Sequence, residues 1–234
     1  MMKKIGLIIF IFALVAGVIL ANMSSFGRIS TKIFNVSLDF GSVSGSGNIV
    51  KQTRDISDFK SLDVGGVFKV EVTAQKDFKV EVESDDNLLP LIRTEVRGGT
   101  LHIDADKHLK SSSPIVIRVS APDIENLEAS GVSNISVVNV KNERLSIDSS
   151  GASKITVQGD TSNFVVDVSG ASRIDAASLN ASTAKVGASG ASNVAVNVTD
   201  ELSVDASGAS KITYSGTPKN IVKKTSGASS VMQR

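Results

Sequence analysis

The phrase Ser150-Gly-Ala-Ser-Lys-Ile155 decides the fold of this chain, because six versions of it occur in the second half of the sequence. The glycines of the six copies are Gly131, Gly151, Gly170, Gly190, Gly208 and Gly227. They lie 20, 19, 20, 18 and 19 residues apart. A turn element that recurs at such a period is typical of a solenoid, in which each repeat stacks on its neighbours.

Apolar and polar residues alternate on both sides of each glycine. Around Gly151, the apolar residues Ile147, Ile155 and Val157 lie four or six positions away, and intervening residues such as Asp148 are polar. This period of two predicts strands with one buried face. Two strands of about five residues each, joined by the Ser-Gly-x-Ser corner and by a polar stretch such as 159–163, account for one repeat. The sequence therefore predicts an all-β fold, a β-helix.

The corner phrase has a structural explanation. Glycine fits a bend at positive φ, where a Cβ costs on the order of 1 kcal/mol or more. The residue after each glycine is small, from Val132 to Ala228, and we expect it to fill a space too narrow for leucine. The second serine of each phrase, such as Ser153, is expected to satisfy backbone groups at the bend through its hydroxyl. We therefore predict that the six glycines are structural turn residues.

The N-terminus predicts export. Lys3 and Lys4 precede an uncharged run from Ile5 to Ala21, which fits either a signal peptide or a signal anchor over residues 1–22. If it is uncleaved, residues 1–21 attach the protein to a membrane. The chain has no cysteine, which excludes a disulfide framework and a lipoprotein-type acylation site. We expect the cell envelope as the destination, either the periplasm or the cell surface.

The rest of the chain divides into three parts. Residues 23–46 have the composition of a linker. Residues 47–120 alternate strongly without the corner phrase, which predicts an irregular N-terminal β layer that caps the solenoid. Within this layer Gly98-Gly99 predicts a hairpin turn. Residues 121–234 carry the β-helix repeats.

Composition argues against several functions. The formal net charge is +1, and the chain has one tyrosine and no tryptophan, so a nucleic-acid partner is not expected. His102 and His108 are the only histidines, which leaves no metal-ligand pattern. We predict no cofactor, no metal and no catalytic residues.

One polar pattern is a candidate for a surface site. An acidic residue, or Gly187 in one repeat, stands three positions before each of the first five repeat glycines. We call this set the acidic column: Glu128, Asp148, Asp167 and Asp205. Three positions after the glycines are Lys154, Arg173 and Lys211, the basic column. Stacked carboxylates can bind a cation or serve a glycosidase, but two columns that offset one another and solubilise the fold are favoured.

Three segments and the repeats together resemble a known family. Residues 47–55, 59–72 and Asp85-Asp-Asn-Leu-Leu-Pro90, with the serial Ser-Gly-Ala-Ser phrases, are similar to the bacterial family of putative auto-transporter adhesins with a head GIN domain. The likeness covers roughly residues 45–230. It implies a right-handed, single-stranded parallel β-helix in an exported protein, and it brings no catalytic or binding residues. Gly65-Gly66 departs from the Ser-Gly often found there.

These observations predict a non-catalytic structural or interaction protein of the cell envelope, with adhesion as one role and a cell-surface or glycan partner. The alternative is a carbohydrate-active β-helix enzyme or a glycan-binding module that uses the acidic column.

The C-terminal end also carries an expectation. The last phrase is followed by three residues only, so we expect an apolar end that includes Ile212, Tyr214, Ile221 and Val231 and forms a homo-oligomer. The competing expectation is a monomer whose end is shielded by four basic residues, namely Lys219, Lys223, Lys224 and Arg234.

Overall fold

The computed structural model describes residues Ile29–Thr31, Val36–Leu38 and 41–234. The chain splits into two compact units, residues 1–43 and 44–234. In the first unit β1 (Ile29–Thr31) and β2 (Val36–Leu38) pair as antiparallel strands. The predicted export segment, residues 1–22, lies outside the described residues. Among the residues that are described, no helix has the length and apolar character needed to cross a membrane.

Strands make up nearly all of the regular structure that follows. The N-terminal strands are β3 Val43–Ser44, β4 Ile49–Arg54, β5 Ser61–Val64, β6 Lys69–Ala74, β7 Lys79–Asp85, β8 Ile92–Arg97, β9 Thr100–Ala105, β10 Leu109–Lys110 and β11 Val116–Ala121. The repeat strands are β12 Asn126–Ala129, β13 Asn134–Ser149, β14 Lys154–Val168, β15 Arg173–Ala188, β16 Asn193–Ala206, β17 Lys211–Ser215, β18 Asn220–Thr225 and β19 Ser230–Gln233. A single 3-10 turn, Leu89–Leu91, stands between β7 and β8 in this part of the chain.

The second unit is a β-solenoid of about five turns, as the repeat predicts. Successive repeats pair in parallel, so equivalent residues stack in register. One core column runs Ile135, Ile155, Ile174, Val194 and Ile212, and each of its side chains is at most 2% exposed. The alternation seen in the sequence is thus the alternation between core and solvent.

The second corner of each repeat differs from the expectation of two separate short strands. Strands β13 to β16 are 14 to 16 residues long and continue through this corner. Register shifts mark the bend, for example between Val137 and Val140. Gly159 lies there at φ +134°, and a Cβ on it would overlap the carbonyl oxygen of Val140. The ladder hydrogen bonds therefore bend around this corner rather than stopping at it.

The parallel ladder extends into residues 61–74. Strand β5 pairs in parallel with β12, and β6 pairs in parallel with β13. On the other side of these two strands lie β9 and β11, also parallel to them. The chain therefore builds one turn at 61–74, adds strands beyond it, and returns at Asn126 to stack on Ser61.

Antiparallel strands close the N-terminal end of the solenoid. Strand β7 pairs with β11, β4 pairs with β7, and β8 pairs with β9, all antiparallel. The turn between β8 and β9 is Gly98-Gly99, with both glycines at positive φ; the predicted hairpin is confirmed. These strands cover the first parallel turn, whose apolar cross-section would otherwise face water.

The C-terminal end is less apolar than we expected. Ile212 is fully buried and Tyr214 is 5% exposed, because β19 stacks on β17 and pairs Val231 with Ile212. The large apolar side chains exposed at this end are Ile221, Val222 and Met232. The expectation that Ile212 and Tyr214 face solvent is therefore wrong.

Candidate functional site

The first corner is a ladder of stacked glycines. The N–H of Ala152 donates to the carbonyl of Gly131, and the N–H of Ala171 donates to that of Gly151, both at 3.0 Å. The same bonding reaches back to Gly66, whose carbonyl accepts from Val132 at 2.8 Å. Gly66 thus occupies the corner position of the turn at 61–74, although its surroundings lack the repeat phrase.

Close packing, more than backbone conformation, requires glycine in this ladder. Gly170, Gly190, Gly208 and Gly227 have positive φ, as predicted, but Gly131 and Gly151 do not. For Gly151 a Cβ would overlap the carbonyl oxygen of Gly131, and for Gly170 it would overlap that of Gly151. Glycine is needed at these turn positions because the backbone of the preceding turn lies too close for a Cβ.

The serines of the corner satisfy the backbone as predicted. The hydroxyl of Ser153 donates to the carbonyl of Gly131 and that of Ser172 to the carbonyl of Gly151, each at 3.1 Å. The Ser172 oxygen also accepts from the N–H of Ser153 at 3.1 Å. Both serines are at most 2% exposed, so these hydroxyls hold adjacent turns together inside the corner.

The small residues after the glycines do not fill an internal space. Val132 is 59% exposed, and Ala152, Ala171, Ala191, Ala209 and Ala228 are exposed as well. The expectation of a narrow pocket is wrong, because the backbone turns outward at this position and the following serine points inward. The narrow space is the one at the glycine itself.

The parallel register assembles the acidic column. Glu128 pairs with Asp148, Asp148 with Asp167, Asp167 with Gly187, and Gly187 with Asp205. All four acidic side chains are exposed. Neighbouring strands lie about 4.8 Å apart, so the column presents carboxylates at a regular spacing with one interruption.

An open groove lies along the column at the interruption. Its volume is about 490 Å³, and Asp148, Asp167 and Asp205 line it together with Lys185 and Gly187. A Cβ on Gly187 would overlap a carboxylate oxygen of Asp167. The missing side chain at 187 therefore leaves room into which Asp167 leans.

The carboxylates of the acidic column are unpaired in the part of the chain from residue 41 onward. Within residues 41–234 its carboxylates form no ion pair and no hydrogen bond, and neither do the charged groups of the basic column. The basic column stacks in register through Lys154, Arg173, Asn193 and Lys211. The two columns thus lie on opposite sides of the corner as separate charged surfaces.

The column ends at two different groups. Toward the N-terminus Glu128 stacks on Asp63, which stacks on His102, and the Nδ1 atom of His102 lies 2.9 Å from an Asp63 carboxylate oxygen. Toward the C-terminus Asp205 stacks on Lys224. No three histidine or acidic side chains converge in a geometry fit for a metal ion among the described residues. His108 lies in the loop just before β10.

A second polar ladder, at the second corner, was not predicted. The Nδ2 of Asn180 donates to Asp160 at 2.9 Å, and the Nδ2 of Asn197 donates to Asn180 at 2.8 Å. In the preceding turns Thr161 donates to the side-chain oxygen of Asn142 at 2.8 Å. The polar residues of the stretch at 159–163 could have indicated this ladder, but the number of residues between equivalent polar positions differs from turn to turn.

Most charged residues of the N-terminal strands form ion pairs, unlike those of the columns. Arg118 contacts Glu83 at 2.6 Å and Glu71 and Glu81 at 3.2 Å. The hydrogen bond from Arg118 holds the pKa of Glu83 below its usual value, and the same bond raises the pKa of Arg118. Carboxylates in this part of the fold are therefore used to join strands.

The segment before β4 is held by two aspartates. Asp85 is fully buried and accepts from the N–H of Gly47 at 2.7 Å and from the hydroxyl of Ser111. Asp86 accepts from the hydroxyl of Ser46 at 2.5 Å. The pKa of Asp85 lies below its usual value, mainly because of the Ser111 hydrogen bond, and that of Asp86 is lowered mainly by Ser46.

The solenoid and its N-terminal strands correspond to a known protein family. The family described as "Putative auto-transporter adhesin, head GIN domain" matches residues 58–218, which is more than half of the chain. The chain belongs to this family. No curated protein matches this head GIN domain chain.

Solved structures share the fold of the head GIN domain chain. A putative adhesin from Bacteroides fragilis is 17% identical, with a TM-score of 0.68 over 82% of this chain and 100% of its own. A putative adhesin from Parabacteroides merdae is 15% identical, with a TM-score of 0.53 over 83% and 99%. A putative lipid binding protein from Parabacteroides distasonis is 21% identical, with a TM-score of 0.53 over 82% and 99%. At these identities the likeness concerns the fold alone.

Proposed function

We propose that this head GIN domain protein is an exported interaction module of the cell envelope that binds a cell-surface or glycan partner and catalyses no reaction. The observation that carries the proposal is the exposed acidic column, which stacks in register with one gap at Gly187 and forms no ion pair or hydrogen bond among the described residues. Carboxylates of the N-terminal strands pair with Arg118 and lysines, so the chain is able to neutralise its acids elsewhere. The simplest role for these unpaired carboxylates is to bind another molecule.

The structure of the interior supports a binding role over catalysis. Buried hydroxyls such as those of Ser153 and Ser172 are engaged in bonds between turns, so they are not placed to attack a substrate. The acidic column lies on the outside of the solenoid beside an open groove. A polymer with a regular repeat matches such a surface better than a small molecule does, because small ligands need enclosed pockets.

The family description and the named relatives agree with an adhesive role. The family is that of putative adhesins, and two of the similar structures carry the same name. Adhesins act outside the cytoplasm, which agrees with the predicted export segment. The enzyme alternative, a carbohydrate-active β-helix that uses the acidic column, gains no support from these comparisons.

The two charged columns make the binding proposal testable. The full-length protein, its Asp148/Asp167/Asp205 triple alanine variant and a Lys154/Arg173/Lys211 triple alanine variant would be tested against neutral, cationic and acidic polysaccharides and against whole bacterial cells. We expect binding of a neutral or cationic polymer, or of cells, that the acidic-column variant loses and the basic-column variant keeps. Equal binding by all three proteins would contradict the use of this column.

The same samples separate binding from catalysis. Reducing ends or unsaturated products released from the polysaccharides would be measured over time. Saturable turnover that the acidic-column variant loses would support the enzyme alternative and overturn our proposal. The N-terminal residue of the protein isolated from its own cells tests the export step: a start at Asn22 shows a cleaved signal peptide, and a retained Met1 or Met2 shows an anchor.

A further inference from the structure

A lysine occupies a core position in the last turn of the solenoid. One core column runs Ile147, Val166, Val186 and Val204, each at most 1% exposed. The next residue of this column, in register with Val204, is Lys223. The pleat therefore directs the Lys223 side chain toward the side of the strand that the core occupies in every preceding turn.

Lys223 interacts with the aromatic ring next to it. Its Nζ lies 4.7 Å from the centre of the Tyr214 ring and 3.3 Å from the tyrosine hydroxyl. Tyr214 is 5% exposed, whereas Lys223 is exposed. A lysine in this geometry covers apolar surface with its methylenes and keeps its charge in water while it contacts the ring face.

The strands at this end form an open edge. In the described sheet β18 pairs with β16 and β19 pairs with β17, and neither has a partner on its other side. Ile221 is 40% exposed, Val222 51% and Met232 44%. An edge with free backbone groups and apolar side chains is a template for a further strand.

We propose that Lys223 prevents this edge from pairing with a second copy of the chain. A strand stacked on β18 would lie about 4.8 Å away and would cover the Lys223 ammonium, which has no carboxylate beside it among the described residues. In a two-fold pairing of the same edges, the second copy brings its own inward-directed Lys223. An inward-pointing charge on an edge strand is a recognised means of blocking such pairing.

The proposal is independent of the acidic column and modifies the expectation for the C-terminal end. The sequence left two outcomes open, an oligomer or a shielded monomer. The proposal favours the monomer, and Lys223 is the residue that shields its end. Lys219 has a different role, because its Nζ contacts Asp200 at 2.6 Å. Lys224 lies next in the chain but in the outward register, stacked on Asp205.

Lys224 therefore provides a matched control. The substitutions Lys223→Val and Lys224→Val remove the same charge and add the same side chain, but only the first restores the apolar core column. We would compare the full chain with both variants by sedimentation velocity and light scattering over a hundredfold concentration range. For Lys223→Val we expect association at least about 30-fold stronger than for the wild type, and for Lys224→Val no change.

Two further variants locate the contact. Adding Ile221→Lys to Lys223→Val should restore the monomer, because it returns a charge to the same edge. Lys223→Met, which keeps a flexible apolar chain, should associate as Lys223→Val does; circular dichroism and thermal unfolding confirm that each variant is folded.

Several outcomes would overturn the proposal. In the first, Lys223→Met and Lys223→Val are folded but stay monomeric over the whole concentration range. In the second, Lys224→Val associates as strongly as Lys223→Val. In the third, Lys223→Val still associates after Ile221→Lys is added. A wild type that already associates, and that Ile221→Lys makes monomeric, would instead support the oligomer expected from the sequence.

Discussion

The carbonyl oxygen of Gly131 occupies the space that a Cβ at Gly151 would need. The same oxygen accepts hydrogen bonds from the N–H of Ala152 and the hydroxyl of Ser153. Two successive turns are therefore locked together at one atom. The contact recurs from turn to turn, since Gly151 stands in the same relationship to Gly170.

This contact predicts a large effect for the smallest possible substitution. Gly151→Ala should lower the free energy of unfolding by about 2–4 kcal/mol, because the clash is with backbone that two hydrogen bonds hold in place. Gly151 is not at positive φ, so backbone strain is not the cause. Chemical denaturation measures the change. The control is Ala152→Val, at an exposed position where the preceding turn carries Val132, and it should cost less than about 0.5 kcal/mol.

Gly187 provides a test of the same reasoning with the opposite result. A Cβ here would also overlap another atom, but that atom belongs to the exposed side chain of Asp167. Because the carboxylate is free to rotate away, Gly187→Ala should cost less than about 1 kcal/mol. Asp167→Ala should cost less than about 0.5 kcal/mol, and the double variant should cost no more than Gly187→Ala alone. Denaturation midpoints that place Gly187→Ala level with Gly151→Ala would contradict this assignment.

The hydroxyl of Ser172 makes three hydrogen-bond contacts with the corner of the preceding turn. Its hydroxyl donates to Gly151, accepts from the N–H of Ser153 and contacts the hydroxyl of Ser149 at 2.8 Å. Ser172→Ala should reduce the free energy of unfolding by about 1–3 kcal/mol, because buried polar groups are left without partners. Ser169→Ala, at the exposed first serine of the same phrase, is the matched control and should be nearly neutral. Similar losses for both serines would count against the buried network.

The repeat phrase predicts the solenoid because each of its features has a local cause. Glycine is needed where backbones meet, serine where carbonyls need a donor, and alternating apolar residues where strands face a core. The phrase does not reveal the turn at 61–74. There Gly65 and Phe68 stand where later turns have serine, and strands β6 to β11 separate Ser61 from its partner Asn126. Such a contact leaves no periodic signal in the sequence.

The register of the acidic column was also predictable, because stacking follows from the repeat. The absence of an ion pair between the acidic and basic columns in residues 41–234 was not predictable. Whether a carboxylate pairs with a neighbouring base depends on side-chain distances across the corner, and the basic column forms no ion pair with it in residues 41–234. The position of Lys223 was not predictable either. In the sequence it resembles any surface lysine, and only the register with Val204 places it in a core column.

The buried carboxylate of Asp85 predicts a response to acid. It holds the segment before β4 through the N–H of Gly47 and the hydroxyl of Ser111, and its pKa is lowered mainly by the Ser111 hydrogen bond. A carboxyl whose pKa is lower in the folded state stabilises the fold above its ordinary pKa of about 4. That contribution is lost as the pH falls through the lowered value, when the protonated group no longer accepts both hydrogen bonds.

Hydrogen exchange, corrected for the intrinsic effect of pH, would follow this segment between pH 6 and pH 2. In the wild type we expect protection at Gly47 and Asn48 to fall as the pH drops below about 4. Asp85→Asn should expose these amides at neutral pH and weaken their response to acid, because only Asp86 then titrates beside this segment. Asp148→Asn, a carboxylate without a partner in the described residues, should leave the profile unchanged. If Asp85→Asn follows the wild-type curve instead, Asp85 does not hold this segment.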